Sequence, residues 1–157
     1  MPRPASFYRP DRYFTEPSVG LLMKQVMVSI VAQVDQRLDV HGLTSAQWGP
    51  LLHLSKTGPS TVLELARWVN VDPAAMTRLL DRLEKKQLCR RARDPVDRRV
   101  VRVQITPEGE AAIAGVPAAL SEVMNAHLAG FSKTEWQTMK AYLTRMLRTG
   151  DALREAA

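Results

Sequence analysis

A chain of 157 residues is about one domain in size and long enough to bury a core, and its 45% hydrophobic and 24% charged residues are the proportions of a soluble globular protein. Its one cysteine, Cys89, excludes an internal disulfide and argues against a cysteine-based metal site. The formal net charge is +6 and the pI about 9.9, which leaves nucleic acid, an anionic membrane or an acidic protein open as partners.

Residues 1–17 read as an N-terminal arm, mixing Pro2, Pro4, Pro10 and Pro17 with Arg3, Arg9 and Arg12. No apolar run of a secretory signal is present there, and a cytoplasmic location is expected. A helix follows over 18–39. Its Leu21, Leu22, Met23, Val26, Met27, Val28, Ile30, Val31 and Val34 cover more than one face. Lys24, Gln25, Ser29 and Gln33 interrupt the run, so it falls short of a bilayer span, and no membrane partner is expected. A helix apolar nearly all round needs cover on two sides. Either a second subunit supplies the second cover, or the helix lies at the centre of its own chain.

His41-Gly42 ends that helix, and Thr44 to Gln47 opens the next with capping-box spacing. Trp48, Leu51, Leu52 and Leu54 form its apolar stripe. After Thr57-Gly58-Pro59, Thr61 and Glu64 cap a short third helix through Trp68. Asp72-Pro73, an acceptor followed by proline, starts a fourth that runs to about Lys86. Cys89–Arg93 and Val100–Ile105 are extended runs joined by the turn composition Asp94-Pro95-Val96-Asp97. Thr106-Pro107-Glu108 begins a long fifth helix with a bend expected at Pro117. Ser132 and Glu135 cap a sixth, striped by Trp136, Met139, Leu143, Met146 and Leu147.

The charge is concentrated. The stretch Arg78–Arg102 holds ten basic residues against four acids, while the rest of the chain holds 12 of each sign and sums to zero. A neutral body with one basic patch is the footprint of a protein that meets a polyanion. The patch begins on the second of two short helices joined by Val69-Asn70-Val71, the layout of a helix-turn-helix. There Met76, Leu79, Leu80 and Leu83 recur at helical spacing and face the core. The opposite face carries Ala74, Ala75, Thr77, Arg78, Asp81, Arg82 and Lys85, small near the start and basic further on. Small residues let a helix end enter a major groove, and arginine pairs with a guanine edge. A solvated face with Asp81 paired to Lys85 is the plainer alternative, and it leaves the excess positive charge unexplained.

The hairpin that follows puts Arg98 and Arg99 at its tip, with Arg90, Arg91, Arg93 and Arg102 along its strands. Behind a helix-turn-helix it reads as a wing whose tip arginine enters a minor groove. Asp97 is expected to fix an arginine's pose through a charge-assisted bond, since phosphates repel it.

The segments Leu43-Thr44 with Gln47-Trp48, Glu64-Leu65-Ala66, Val71-Asp72 with Ala75 to Glu84, Asp94 to Arg99, and Val103 to Thr106 with Gly109 resemble the MarR family of bacterial transcription regulators. The resemblance spans roughly residues 20–147, and its wing motif is the most specific part. It implies a fold that is mainly α with a small β-wing, a winged helix-turn-helix, whose N- and C-terminal helices form a dimerisation region. The divisions would be the arm at 1–17, a dimerisation helix at 18–43, the DNA-binding lobe at 44–106 and dimerisation helices at 107–157. The resemblance further implies a homodimer, functional roles for Asp97 and Arg99, repression of nearby genes, and release by a small, often aromatic and anionic effector.

The expected DNA-binding set is Ser60, Thr61, Ala74, Ala75, Thr77, Arg78, Arg82, Arg93, Asp97, Arg98 and Arg99, acting on a near-palindromic double-stranded operator. Tyr8, Arg9, Tyr13, Trp48 and His53 are effector candidates, offering aromatic faces and a cation; alternatively, the tyrosines tether the arm across a partner and Trp48 packs in the core. Cys89 is either a structural thiol or, beside Arg90 and Arg91, a redox sensor. His41, His53 and His127 lack metal-ligand spacing, so no metal and no cofactor is expected. No catalytic set is present, and the chain reads as a binding protein and not an enzyme. The competing class is a winged-helix module that docks an acidic protein.

Overall fold

A computed structural model of the chain describes residues 5–156; the first part of the arm, with Pro2, Arg3 and Pro4, and the final Ala157 lie outside them. All the α-helices but that at Val116–His127 begin where the sequence supplies a side-chain acceptor for the orphan amides. Helix α1, Val19–Leu38, starts at Ser18, whose hydroxyl accepts from the Leu21 amide at 3.1 Å. A 3-10 turn at Asp39–His41 and Gly42 in the left-handed region (φ 65°) carry the chain out of it. Helix α2, Ser45–Thr57, is opened by a capping box of Thr44 and Gln47. Helix α3, Val62–Val69, is opened by a second one of Thr61 and Glu64. Asn70, at φ 59°, makes the left-handed turn that swings the chain into α4, Pro73–Lys85. Asp72 caps α4 by accepting from the amides of Ala74 and Ala75 at 2.8 and 3.2 Å.

Strands β1, Cys89–Arg93, and β2, Val101–Ile105, pair antiparallel, with Cys89 opposite Ile105 and Arg93 opposite Val101. Ser60 adds a single bridge on the far side of β2, exchanging backbone bonds with Val103 at 3.0 and 2.7 Å. The wing is thereby tied to the loop that precedes α3.

Beyond the wing, the single long helix expected with a bend at Pro117 is two helices, α5, Pro107–Ile113, and α6, Val116–His127. The break falls at Ala114-Gly115. Glycine is a weak helix former, and a Cβ at Gly115 would lie 2.5 Å from the His41 ring, so the position is held small by packing. Pro117 then sits in the first turn of α6, where its missing N–H has no intrahelical partner to lose. A last capping box, Ser132 with Glu135, opens α7, Lys133–Glu155.

The chain divides into two compact units at Ser121/Glu122. The core of the first gathers Leu38, Leu51, Leu54, Leu65, Met76, Leu80, Leu83, Val103 and Val116, all buried. Burial of each such side chain stabilises by about 1.5–3 kcal/mol before chain entropy is subtracted. Little of α1 contributes: only Val34 and Leu38 are buried, whereas Val26 is 50% and Val28 62% exposed. Helix α7, in the second unit, buries none of its residues within the chain.

Candidate nucleic-acid interface

The apolar stripe of α4 fixes what its other face shows. Met76, Leu79, Leu80 and Leu83 are buried, which turns Ala74, Thr77, Arg78, Asp81, Arg82 and Lys85 to solvent; Ala75 is half-buried. The Thr77 hydroxyl donates to the Pro73 carbonyl at 2.9 Å. Small side chains therefore stand at the entering end and arginines one turn further along.

The wing presents the second group. Asp94 shapes its turn by accepting from the amides of Val96 and Asp97 at 2.8 and 3.1 Å. Asp97 accepts from the backbone amide of Arg99 at 3.0 Å. The expected bond from Asp97 to an arginine is made to the backbone and not to a guanidinium: the carboxylate holds the main chain of the tip and leaves both tip arginine side chains unpaired. Two-residue spacing from an aspartate to a following amide is the usual Asx-turn geometry, and it competes well with a long, mobile side chain.

The ten basic residues of the patch separate into two groups. Five are engaged with the protein or bonded across the hairpin. Lys86 donates to the Gly42 carbonyl at 2.7 Å and to Gln47. Arg91 bonds Glu84 and, at 2.7 Å, Asp81, so the Asp81–Lys85 pair considered from sequence does not form. Arg102 bonds Asp94, Arg90 reaches Gln104 across the hairpin, and Arg93 reaches the Arg98 carbonyl at 3.4 Å. The side chains of Arg78, Arg82, Lys85, Arg98 and Arg99 have no hydrogen bond or ion pair among the described residues. They stand on two adjoining elements, three on α4 and two at the wing tip.

Ser60 departs from the expected contact set. It is buried, its backbone pairs with Val103, and its hydroxyl donates to the Gly58 carbonyl at 3.1 Å. Its neighbour Thr61 is half-buried, with its hydroxyl committed to Glu64.

The sequence model of the MarR family matches residues 43–101, the span from the end of the α1 turn to the start of β2. The HTH-type transcriptional repressor MdtR of Bacillus subtilis is 31% identical over 129 residues, covering 82% of this chain and 83% of that protein. The chain belongs to the MarR family. Its fold agrees with solved members. A point mutant of Escherichia coli MarR, solved in complex with operator DNA, superposes with a TM-score of 0.77 at 26% identity, covering 82% of this chain and 93% of that one. Bordetella bronchiseptica BpsR, solved in a study of how 6-hydroxynicotinic acid regulates its DNA binding, gives 0.77 at 26% identity, covering 85% and 94%. This MarR-family chain is a DNA-binding transcription regulator with a winged helix, in a family of regulators and not of enzymes.

The effector candidates fall apart into separate places. Tyr8, Arg9 and Tyr13 line a cavity of about 490 Å3 within the arm, together with Phe7, Arg12 and Glu16. The two tyrosine rings lie 5.6 Å apart, and the Tyr8 hydroxyl accepts from the Val19 amide at 2.9 Å, fastening the arm to the start of α1. Trp48 and His53 do not line that cavity. His53 instead packs on Trp68, with ring centroids 5.0 Å apart, and Trp48 is half-buried on α2. Among the described residues no group of three His, Cys, Asp or Glu is placed to hold a metal ion. No helix among them is long and apolar enough to cross a membrane.

Burial pushes the Cys89 thiol up to about 11, with Glu84 adding to the effect and Arg91 opposing it. The flanking arginines that suggested an activated thiolate do not outweigh desolvation. Cys89 is a free thiol and buried.

Sequence reasoning read Glu64 only as a helix cap, Asp94 only as a turn residue, and Arg91 and Arg102 only as part of the patch, and missed their pairing and that of Glu84. For Glu84 and Asp94 the signal was the presence of acids inside a basic run, which the net count conceals.

Proposed function

We propose that the protein is a homodimeric repressor that grips a near-palindromic duplex, with α4 in the major groove and the wing tip at the minor groove. One observation carries this reading: the unpaired cations of the patch are Arg78, Arg82 and Lys85 on α4 and Arg98 and Arg99 at the wing tip. Like charges gathered on one face, and not neutralised there by acids, are the electrostatic footprint of a protein that meets a polyanion. In this reading Thr77, Arg78 and Arg82 approach bases, with Ala74 and Ala75 letting the helix end sink in. Arg99 enters the minor groove, and Arg93, Arg98 and Thr61 face the backbone. Asp97 serves by holding the Arg99 backbone.

The uncovered apolar faces of α1 and α7 are the regions a second copy would cover, so 18–43 and 107–157 are the dimerisation segments and 44–106 the DNA-binding lobe. Two-fold symmetry would then set two α4 helices roughly 34 Å apart, one turn of the duplex. For an effector, the arm cavity favours a small aromatic carboxylate, with Tyr8 and Tyr13 supplying ring faces and Arg9 and Arg12, which now share Asp11 at 3.3 and 3.9 Å, turning to it as counter-charge. BpsR, with its hydroxynicotinic acid, is a relative regulated by a molecule of that kind.

The test is selection of genomic fragments by the purified protein. Retention of a small set of duplexes bearing inverted repeats supports the reading. Retention of none, with an acidic protein bound in their place, contradicts it.

A further inference from the structure

Arg102 is the second residue of β2, and in the sequence alone it is simply part of the basic patch. Its guanidinium meets three separate elements. It bonds the Asp94 carboxylate at the wing turn, lies 3.4 Å from the Pro59 carbonyl in the loop before α3, and lies 3.7 Å from Glu64 Oε2 in the α3 capping box. Each of these acids has a second task. Asp94 accepts from the Val96 and Asp97 amides through its other oxygen, and Glu64 accepts from the Thr61 amide at 2.7 Å and its hydroxyl at 3.0 Å. The planar fork of arginine suits several acceptors held in different directions, which a lysine ammonium on a flexible stem does not reproduce. The Arg102 bond holds the Asp94 carboxyl well down, to about 2, so both partners are charged at neutral pH.

We infer that Arg102 and Asp94 form a bracket that sets the wing's direction relative to α3, making both positioning residues for DNA binding and not contacts to DNA. The inference rests on the DNA-binding reading above, and it makes a prediction of opposite sign to simple charge counting. Asp94 is an acid beside a phosphate-facing surface. If charge alone mattered, Asp94→Asn would remove a repulsion and tighten binding. As half of a bracket, its loss frees the wing tip that carries Arg98 and Arg99, and binding weakens.

The experiment compares the unaltered protein with D94N, R102A and R102K on the genomic fragment the unaltered protein retains most strongly, across a salt series. The bracket predicts that D94N and R102A each weaken binding about tenfold. It also predicts that the double variant is little worse than either, that R102K fails to restore binding, and that the slope of log Kd against log salt is unchanged. Tighter binding by D94N, full function of R102K, or a slope flattened by about one contact per protomer in R102A would make Arg102 an ordinary phosphate cation and overturn the inference. Amide hydrogen exchange of the free protein provides a readout that needs no DNA. In D94N and R102A the amides of Asp94, Val100 and Val103, bonded to Val100, Asp97 and Ser60 carbonyls, lose protection while α4 keeps its own. Unchanged exchange overturns the bracket even if DNA binding itself is never seen. Absence of binding together with the exchange loss counts against the functional reading alone.

Discussion

At the scale of single residues, what distinguishes the basic positions is whether the protein itself consumes the charge. Arg91 and Arg102 are enclosed by acids, while Arg78 is exposed and unpaired one turn into α4. Arg78→Ala should therefore relax base preference at one operator position at a cost of about 1–3 kcal/mol, read by competition among operator variants. If preference at every position survives, α4 presents a different face to the groove. Cys89 gives a second residue-scale expectation. With its thiol held up at about 11 by burial, it stays protonated at neutral pH, and its thiolate appears only as pH climbs toward that value. Iodoacetamide should label it only after denaturation, and brief peroxide treatment should leave DNA binding unchanged. Rapid labelling of the folded protein would reopen a redox role. The sequence could not separate these cases, because Arg90 and Arg91 flank the cysteine in the chain while the Leu80 carbonyl and Glu84 approach it in space.

At the scale of elements, the helices were legible because punctuation and periodicity are local. Thr44/Gln47, Thr61/Glu64 and Ser132/Glu135 form the capping boxes their spacing announces, and Asp72-Pro73 starts α4. The α5–α6 break was not legible at Gly115, where the contact that keeps the position small comes from the His41 ring, remote in the chain. The Ser60–Val103 bridge and the Arg102 bracket were hidden for the same reason. Side-chain fit between elements has no local signature. Gly109 shows how tight that fit is at the wing's exit: a Cβ there would lie 2.1 Å from the Leu88 carbonyl oxygen and 2.7 Å from Ile105. Gly109→Ala should thus destabilise the protein by about 1–3 kcal/mol, seen as a lowered Tm, because backbone must shift to admit the methyl. An unchanged Tm would mean that the α5 start yields more readily than its packing implies. The bracket behaves differently with pH. A carboxyl whose folded pKa is depressed contributes stability above its usual value of 3.8 and loses it as pH falls toward about 2, so the wing keeps this link throughout the neutral range.

At the scale of the whole molecule, composition pointed to a polyanion and the apolar helices to self-association. Val26 and Val28 stand half or more exposed on α1, and Leu147 is 68% exposed on α7, apolar positions that the proposed second copy would cover. If the proposed dimer forms through α1, Val26→Asp should leave a monomer in sedimentation without unfolding the chain, because Val26 lies outside its buried core. An unaltered dimer would place the contact elsewhere. What composition could not convey was the pairing of charge: the concentration of the +6 in one stretch points to a polyanion, and only the arrangement in space shows which five side chains of the patch are left unpaired.

The most direct measurement is the salt dependence of binding to the selected duplex, for the unaltered protein and for Arg99→Ala. A linear fall of log affinity with log salt, flattened by about one contact per protomer when Arg99 is lost, is the predicted result. No duplex bound in dilute buffer, or a slope and affinity indifferent to Arg99, would contradict it.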